Sequence, residues 1–402
     1  MTMALEGIKV LDFSRLLPGP FASWMLADFG ADVLRVEEPG FGSSLTGRRG
    51  EQAKGAVIRG VMSSDDPSLV RPWDGVGRNK KSLCLNMKHP RGQEIARKLA
   101  SQADVLLEEF RPGVSKRLGM DYETISEVNP GIIYCSITLY GQSGPYKDYP
   151  GHDPCALAVA GVLSMCGDLD QTPRFVGLPI DDISSGLHAV IGILLAVEAR
   201  HKTGRGQHVD ISMTDSAMDF ICSVSRNLFQ GKTVPRIDRP NPAGGVWQCQ
   251  DGRWIATTNV EPHHWANFCR TIGREDLIPH QYNKERREEM FRMVQDLFLT
   301  KTRQEWLDIF WKGKLESQAA PVNRLEEVFD DPQIRARDMV WEMDHPQLGK
   351  VKHQGSSIKL SSTPAGFRFF ASPPGQHTEE VLKGLGYSGT EIEALKDEGA
   401  VG

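Results

Sequence analysis

Three acid-bearing segments and one basic set in this 402-residue chain have the residue types for nucleophilic, acid–base or phosphate chemistry. Gly151-His152-Asp153 sits among turn residues (YPGHDP) ahead of an apolar segment, where a histidine is either structural or a proton-transfer group. Asp181-Asp182 follows Leu-Pro-Ile and precedes Ser-Ser-Gly. An aspartate there suits a helix N-cap. It equally suits a carboxylate beside helix N–H groups, which stabilise an anion or a forming oxyanion. Glu261, in Asn259-Val260-Glu261-Pro262-His263-His264, reads as a solvated loop acid or as a functional one. Neighbouring histidines rarely point at one ion and no further ligands have fitting spacing, so no metal is expected. The basic set is Arg78-Asn79-Lys80-Lys81, Lys88, Phe110-Arg111-Pro112-Gly113 and Lys116-Arg117. It is either solvated surface charge or a phosphate holder at the carboxyl ends of parallel strands.

The elements that would position these residues alternate. Residues 8–13 read as a strand, 22–29 as a helix closed by Gly30, and 31–36 as a second strand. The cycle repeats with a helix at 90–103, a strand at 104–107, a helix at 122–128 and a strand at 132–137. A long helix over 184–201 leads through Thr203-Gly204-Arg205-Gly206 into a strand at 209–213. Such alternation predicts an α/β fold with a parallel, Rossmann-like sheet. The first turn carries Leu-Leu-Pro-Gly-Pro in place of the dinucleotide glycine fingerprint, so neither NAD nor flavin is expected. Residues 40–77 read as a long surface excursion and 227–245 as a linker. A strand at 254–258 and two amphipathic helices within 284–312 suggest a smaller domain, and 344–374 reads as irregular before a closing helical pair.

Composition bounds the partners. With 47 Lys+Arg against 52 Asp+Glu the net charge is −5, which gives no bulk attraction for nucleic acid or an anionic membrane surface. An anionic ligand must therefore be held by a local basic site. Seven cysteines with no C-x-x-C pair suggest reduced thiols in a cytoplasm rather than a disulfide frame or structural zinc. The apolar run 187–197 falls short of the ~20 residues a spanning helix needs.

Taken in order, these segments resemble the family III CoA-transferase superfamily, which includes the α-methylacyl-CoA racemases. The matching stretches are LEGIKVLDFSRLLPGPFASWMLADFGADVLRVEEPG, RNKKSLCLNMKHPRG, ADVLLEEFRPGVSKRLGM, NPGIIYCSITLYGQSGPY, PGHDP, PIDDISSGLHAVIGILLA and TGRGQHVDISMTD. EEVFDDPQIRARDMV and GYSGTEIEALKDEGAV extend the match towards the C-terminus, and 40–77 departs from it most. The resemblance implies a discontinuous Rossmann-like domain over 1–205, a small α/β domain over 225–325, and a return to the large domain over 330–402. It also implies an interlocked ring dimer, a homodimer or a heterodimer with a homologue. The implied substrate is a coenzyme A thioester. The wall that would bind it matches Leu85, Lys88, Glu109, Phe110, Arg111, Val114 and Arg117, with the three cations suited to phosphates and Phe110 and Leu85 to adenine.

The superfamily divides by chemistry. Its transferase nucleophile aligns with Asp182, four residues before Gly186. In the racemase branch that aspartate and a histidine, aligned with His152, face each other across the α-carbon, and Glu261 aligns with the histidine's hydrogen-bonding partner. All three racemase positions are filled, and SRLLPGP and TKTRQEW resemble that branch, whereas the tail from 330 to 364 resembles the transferases. On this resemblance racemisation or epimerisation through an enolate is favoured, with CoA transfer through Asp182 as the alternative.

Overall fold

The computed structural model describes residues 2–39, 71–167, 172–234 and 242–402. The expected excursion at 40–77 therefore lies outside the described residues except for 71–77. Two compact units divide the chain: one comprises 1–166, 174–234 and 338–402, the other 167–173 and 235–337.

The first unit is built on six parallel strands: β1 (Lys9–Asp12), β2 (Asp32–Glu37), β3 (Lys80–Cys84), β4 (Val105–Glu108), β5 (Ile133–Thr138) and β6 (His208–Ser212). Their spatial order is β3-β2-β1-β4-β5-β6, the doubly wound order. The strands are apolar on both faces because helices cover both. On one face Val10, Val33, Val105 and Ile133 pack with Ala22, Leu26, Ala189 and Ile193. These last come from helices α1 (Pro18–Asp28) and, far along the chain, Ile180–Thr203. On the other face Leu11, Leu83, Leu106 and Tyr134 pack with Ile95 of α2 (Pro90–Ala100) and with Leu382, Ile392 and Leu395 of the closing helices. The parallel sheet expected from the alternation is thus present, and its C-terminal cover comes from the chain's return.

Helix α3 (Val114–Arg117) and α4 (Tyr122–Val128) link β4 to β5, and α5 (Asp153–Val159) precedes the 24-residue α6 (Ile180–Thr203). Among the described residues α6 alone has the length and apolar character of a spanning helix. Its Ala189, Ile193 and Ala196 nonetheless sit in the sheet's core. It packs directly on α1: a Cβ at Gly186 would lie 2.7 Å from the Pro18 carbonyl oxygen, so glycine is what permits the approach.

Two local readings of the sequence are corrected. Residues 344–374 are not wholly irregular, because Val340–His345 and Gly349–Gln354 form an antiparallel hairpin. Its two faces alternate: Trp341 and Met343 pair with buried His353 and Val351 on one, while Glu342–Lys352 and Asp344–Lys350, each 3.6 Å, pair on the exposed other. Lys80 and Lys81, read as solvated surface charge or as part of a phosphate holder, instead open strand β3, with Lys80 buried.

The second unit pairs a three-stranded antiparallel sheet (Gly244–Gln248, Trp254–Thr258, Ala319–Val322) with helices Pro262–Thr271, Arg287–Phe298 and Arg303–Lys312. Its core is aromatic: Trp247, Trp265, Phe268, Phe298, Trp306 and Phe310.

Candidate functional site

In the order β3-β2-β1-β4-β5-β6 the connections diverge between β1 and β4, and ligands gather outside the carboxyl ends of strands at such a point. Two cavities open there. One, about 430 Å³, is lined by Phe13 and Arg15 after β1, Glu38 after β2, Leu85 and Lys88 after β3, and Phe110, Val114 and Arg117 after β4. The other, about 410 Å³, is lined by Arg15, Glu109, Phe110, Arg111, Lys147, Tyr149, His152 and Asp182. Arg15 and Phe110 belong to both walls. The structure therefore brings Leu85, Lys88, Phe110, Val114 and Arg117 to one cleft, and His152, Asp182, Glu109 and Arg111 to its neighbour.

The rest of the basic set lies elsewhere. Arg78, Asn79, Lys80 and Lys81 stand at the amino end of β3, not at the carboxyl edge. Arg78 is wholly buried between Trp24 and Trp341 and pairs with Asp28 at 2.6 Å. Lys80 donates to Pro20 O at 2.8 Å and Ser23 Oγ at 2.6 Å, 3.6 Å from Asp12. Burial lowers its pKa to about 8 although Asp12 opposes the shift. These cations fasten helix α1 to the sheet. Lys88, Arg111 and Arg117 are exposed, and Lys88 meets Glu38 at 3.1 Å. Glu38 also stands 3.7 Å from Arg15.

Glu109, expected on the CoA wall, has its carboxylate committed to backbone. It accepts the N–H of Gly19 at 2.6 Å, Arg15 at 2.9 Å and Leu16 at 3.3 Å. It thereby holds the β1–α1 loop and the first turn of α1, where orphan N–H groups attract an anion. Burial still pushes its pKa up. Beneath it, buried Glu108 accepts the Phe110 N–H at 2.6 Å, and burial raises its pKa to about 7. Neither Arg15 nor the loop-holding role of Glu109 was apparent from residue type; the only signal was their place after β1 and β4.

Asp182 lies in the first turn of α6, half-buried on the cavity wall. Burial, then Asp153, then Glu109 push its pKa up to about 7, and no salt bridge reaches it among the described residues. His152, exposed at the N-cap of α5, lines the same cavity. Glu261 belongs to the second unit, where it is the exposed N-cap of helix Pro262–Thr271. A carboxyl that titrates near neutrality, with no cation paired to it among the described residues, can act as a nucleophile or as a proton-transfer group.

Comparison with known proteins agrees with this architecture. A sequence model described as CoA-transferase family III matches residues 5–378. An acyl-CoA transferase of Fusarium pseudograminearum is 33% identical over 99% of this chain and 88% of its own. Human succinyl-CoA:glutarate CoA-transferase is 32% identical over 99% of this chain and 90% of its own. The crystal structure of a CaiB/BaiF family protein from Brucella suis is 26% identical and covers 96% of this chain and 100% of that one, with a TM-score of 0.79. The sheet order, the cavities at its switch point and these matches lead to one conclusion: the chain belongs to CoA-transferase family III.

Proposed function

We propose that this enzyme moves coenzyme A from an acyl-CoA donor to a carboxylic acid, with Asp182 as the nucleophile. The observation that carries this reading is a carboxyl without a cationic partner lining a cavity that adjoins a basic cleft. The names of the family relatives favour transfer over the racemisation that the local resemblance of His152 and Glu261 suggested.

In this reading Lys88 and Arg117 meet the phosphates of the CoA nucleotide while Leu85, Phe110 and Val114 meet its adenine. Arg111, at the adjoining cavity, supplies further positive charge. An Asp182 carboxylate oxygen attacks the donor's thioester carbonyl, the C–S bond breaks, and CoA thiolate leaves a mixed anhydride on Asp182. The thiolate attacks the Asp182 carbonyl carbon, releasing the donor acid and leaving an aspartyl-CoA thioester. An acceptor carboxylate then displaces the thiolate, forming a second anhydride. Attack of the thiolate on the acceptor's acyl carbon yields the new acyl-CoA and restores Asp182.

Arg15, Arg111 and Lys147 on the cavity wall favour donors and acceptors with a second carboxylate. Purified protein with succinyl-CoA and a panel of mono- and dicarboxylates tests this, read by chromatography of CoA esters. Transfer to short dicarboxylates is expected, and absence of transfer to every acid refutes it.

One observation favours a second reading. His152 and Asp182 line a single cavity, and a group titrating near 7 suits proton transfer at neutral pH. Racemisation predicts deuterium uptake from D₂O at the α-carbon of a 2-methylacyl-CoA, slowed by Glu261→Gln, and transfer alone predicts neither. As to assembly, Leu187, Ile191, Leu194 and Leu195 of α6 expose an apolar face, with exposed Phe220 next to Asp219, which hydrogen-bonds His188 of the same helix. We propose that a second family III chain covers it, which sedimentation analysis would detect as a dimer.

A further inference from the structure

Helix α6 begins after Pro179, and no side chain at that N-cap satisfies its first N–H groups. The acceptor comes from another helix. Asp153, the first residue of α5 and 6% exposed, receives on one carboxylate oxygen the N–H of Asp181 at 2.7 Å and of Asp182 at 3.1 Å. Asp153 also follows His152 in the chain. A single carboxylate thus fastens the backbone of Asp182 to the segment that presents His152.

We propose that Asp153 is a positioning residue, capping α6 from α5 so that Asp182 is fixed on the cavity wall with its carboxylate left basic. This rests on the reading of Asp182 as the reacting carboxyl.

The physical argument has two parts. A misplaced nucleophile costs rate steeply, because effective molarity depends on near-attack geometry. The two N–H groups that Asp153 engages would otherwise be free to stabilise an Asp182 anion and lower its basicity. Asp153 occupies them and adds a nearby negative charge, one of the causes that hold Asp182 up near 7. The surrounding charges are Asp153 and His152 from α5, Glu109 and Arg111 after β4, Arg15 after β1, Lys147 before α5, and Asp181 on α6 itself. Asp181 is wholly buried and neither of its carboxyl oxygens has a hydrogen-bond partner among the described residues. With Asp153 and Asp182 beside it, burial raises its pKa to about 7 as well. Three carboxyls crowd one helix end, and only Asp153 holds the N–H groups.

The test is the pH profile of kcat/KM for CoA transfer in the wild type, Asp153→Asn and Asp153→Ala, with trapping of the Asp182 adduct in each. Asn keeps an acceptor oxygen for the cap and removes the charge. Its acid limb is expected to move down by about 0.5–1 pH unit, with KM for acyl-CoA little changed. Ala removes the cap, and kcat is expected to fall ~10-fold or more. If the Ala variant does not fold, the limb of the Asn variant decides. A trappable Asp182 with an unshifted limb in Asp153→Asn overturns the positioning role alone. No adduct in the wild type overturns the nucleophile reading and the inference with it.

Discussion

Glu37 and Asp182 are carboxyls of the same unit, both largely withdrawn from water at the carboxyl edge of the sheet, and their surroundings are opposite. Glu37 ends β2 and meets Arg71 at 2.7 Å and Arg35 at 3.0 Å, with Ser82 donating its hydroxyl. Burial raises its pKa, but the two guanidinium groups outweigh burial and hold it below the usual carboxylate range. Asp182 receives no such partner and is instead faced by Asp153 and Glu109. A carboxyl that serves the fold is given cations. Asp182, the reacting carboxyl we propose, is given none, and the nearest charges acting on it are carboxylates that raise its basicity.

Asp182→Asn breaks this comparison most severely. It is expected to reduce CoA transfer by ~10³-fold or more, since an amide in its place cannot attack the thioester to form the anhydride. The same variant should be more stable than the wild type by about 1–3 kcal/mol at pH 8. The sign follows from linkage. A raised folded pKa makes ionisation costly above about 7, and that cost fades as pH falls towards the unfolded value. The gain is thus expected to vanish near pH 4, as urea unfolding at the two pH values would show.

Glu37→Gln tests the other side. It leaves Arg35 and Arg71 buried beside a neutral group and should destabilise by about 2–4 kcal/mol at pH 7. Because the folded pKa of Glu37 is depressed, its contribution is present above the unfolded pKa and lost on acidification through the lower folded one. The difference between variant and wild type should narrow only in acid. Smaller effects come from the cleft. Lys88→Ala or Arg117→Ala should raise KM for acyl-CoA by about 10-fold with kcat nearly unchanged, and more mildly in high salt. Glu38→Gln frees Lys88 and Arg15 from a carboxylate, and should lower that KM by roughly 2- to 5-fold at low ionic strength.

The parallel sheet was legible because strand and helix periods alternate over the first half of the chain, and the family because its motifs recur in order. What escaped the sequence depends on distant partners. The basic run Arg78–Lys81 has the composition of a phosphate site, yet it stands at the amino end of β3, and there the pairing of Arg78 with Asp28 and of Lys80 with Asp12 makes those two a buried fastening. Asp153 reads as one residue of a turn, and its part in the site appears only when α6, 28 residues on, lays two N–H groups against it. Glu109 looked like a ligand residue until the β1 loop closed over it. The hairpin at 340–354 alternates Trp341 and Met343 with Glu342 and Asp344, a short pattern whose meaning emerges only when Val351 and His353 come opposite. Between racemisation and transfer the local residues leaned one way and the whole-chain relatives the other.

Covalent trapping decides the matter most directly. The wild-type protein is mixed with acyl-CoA without an acceptor, quenched with borohydride, and digested for mass spectrometry of the peptide that carries Asp182. The account predicts reduction of an aspartyl thioester, so that Asp182 is recovered as homoserine, dependent on acyl-CoA and absent in controls lacking it. Recovery of unmodified Asp182 while the same preparation exchanges α-deuterium on the acyl group would contradict it.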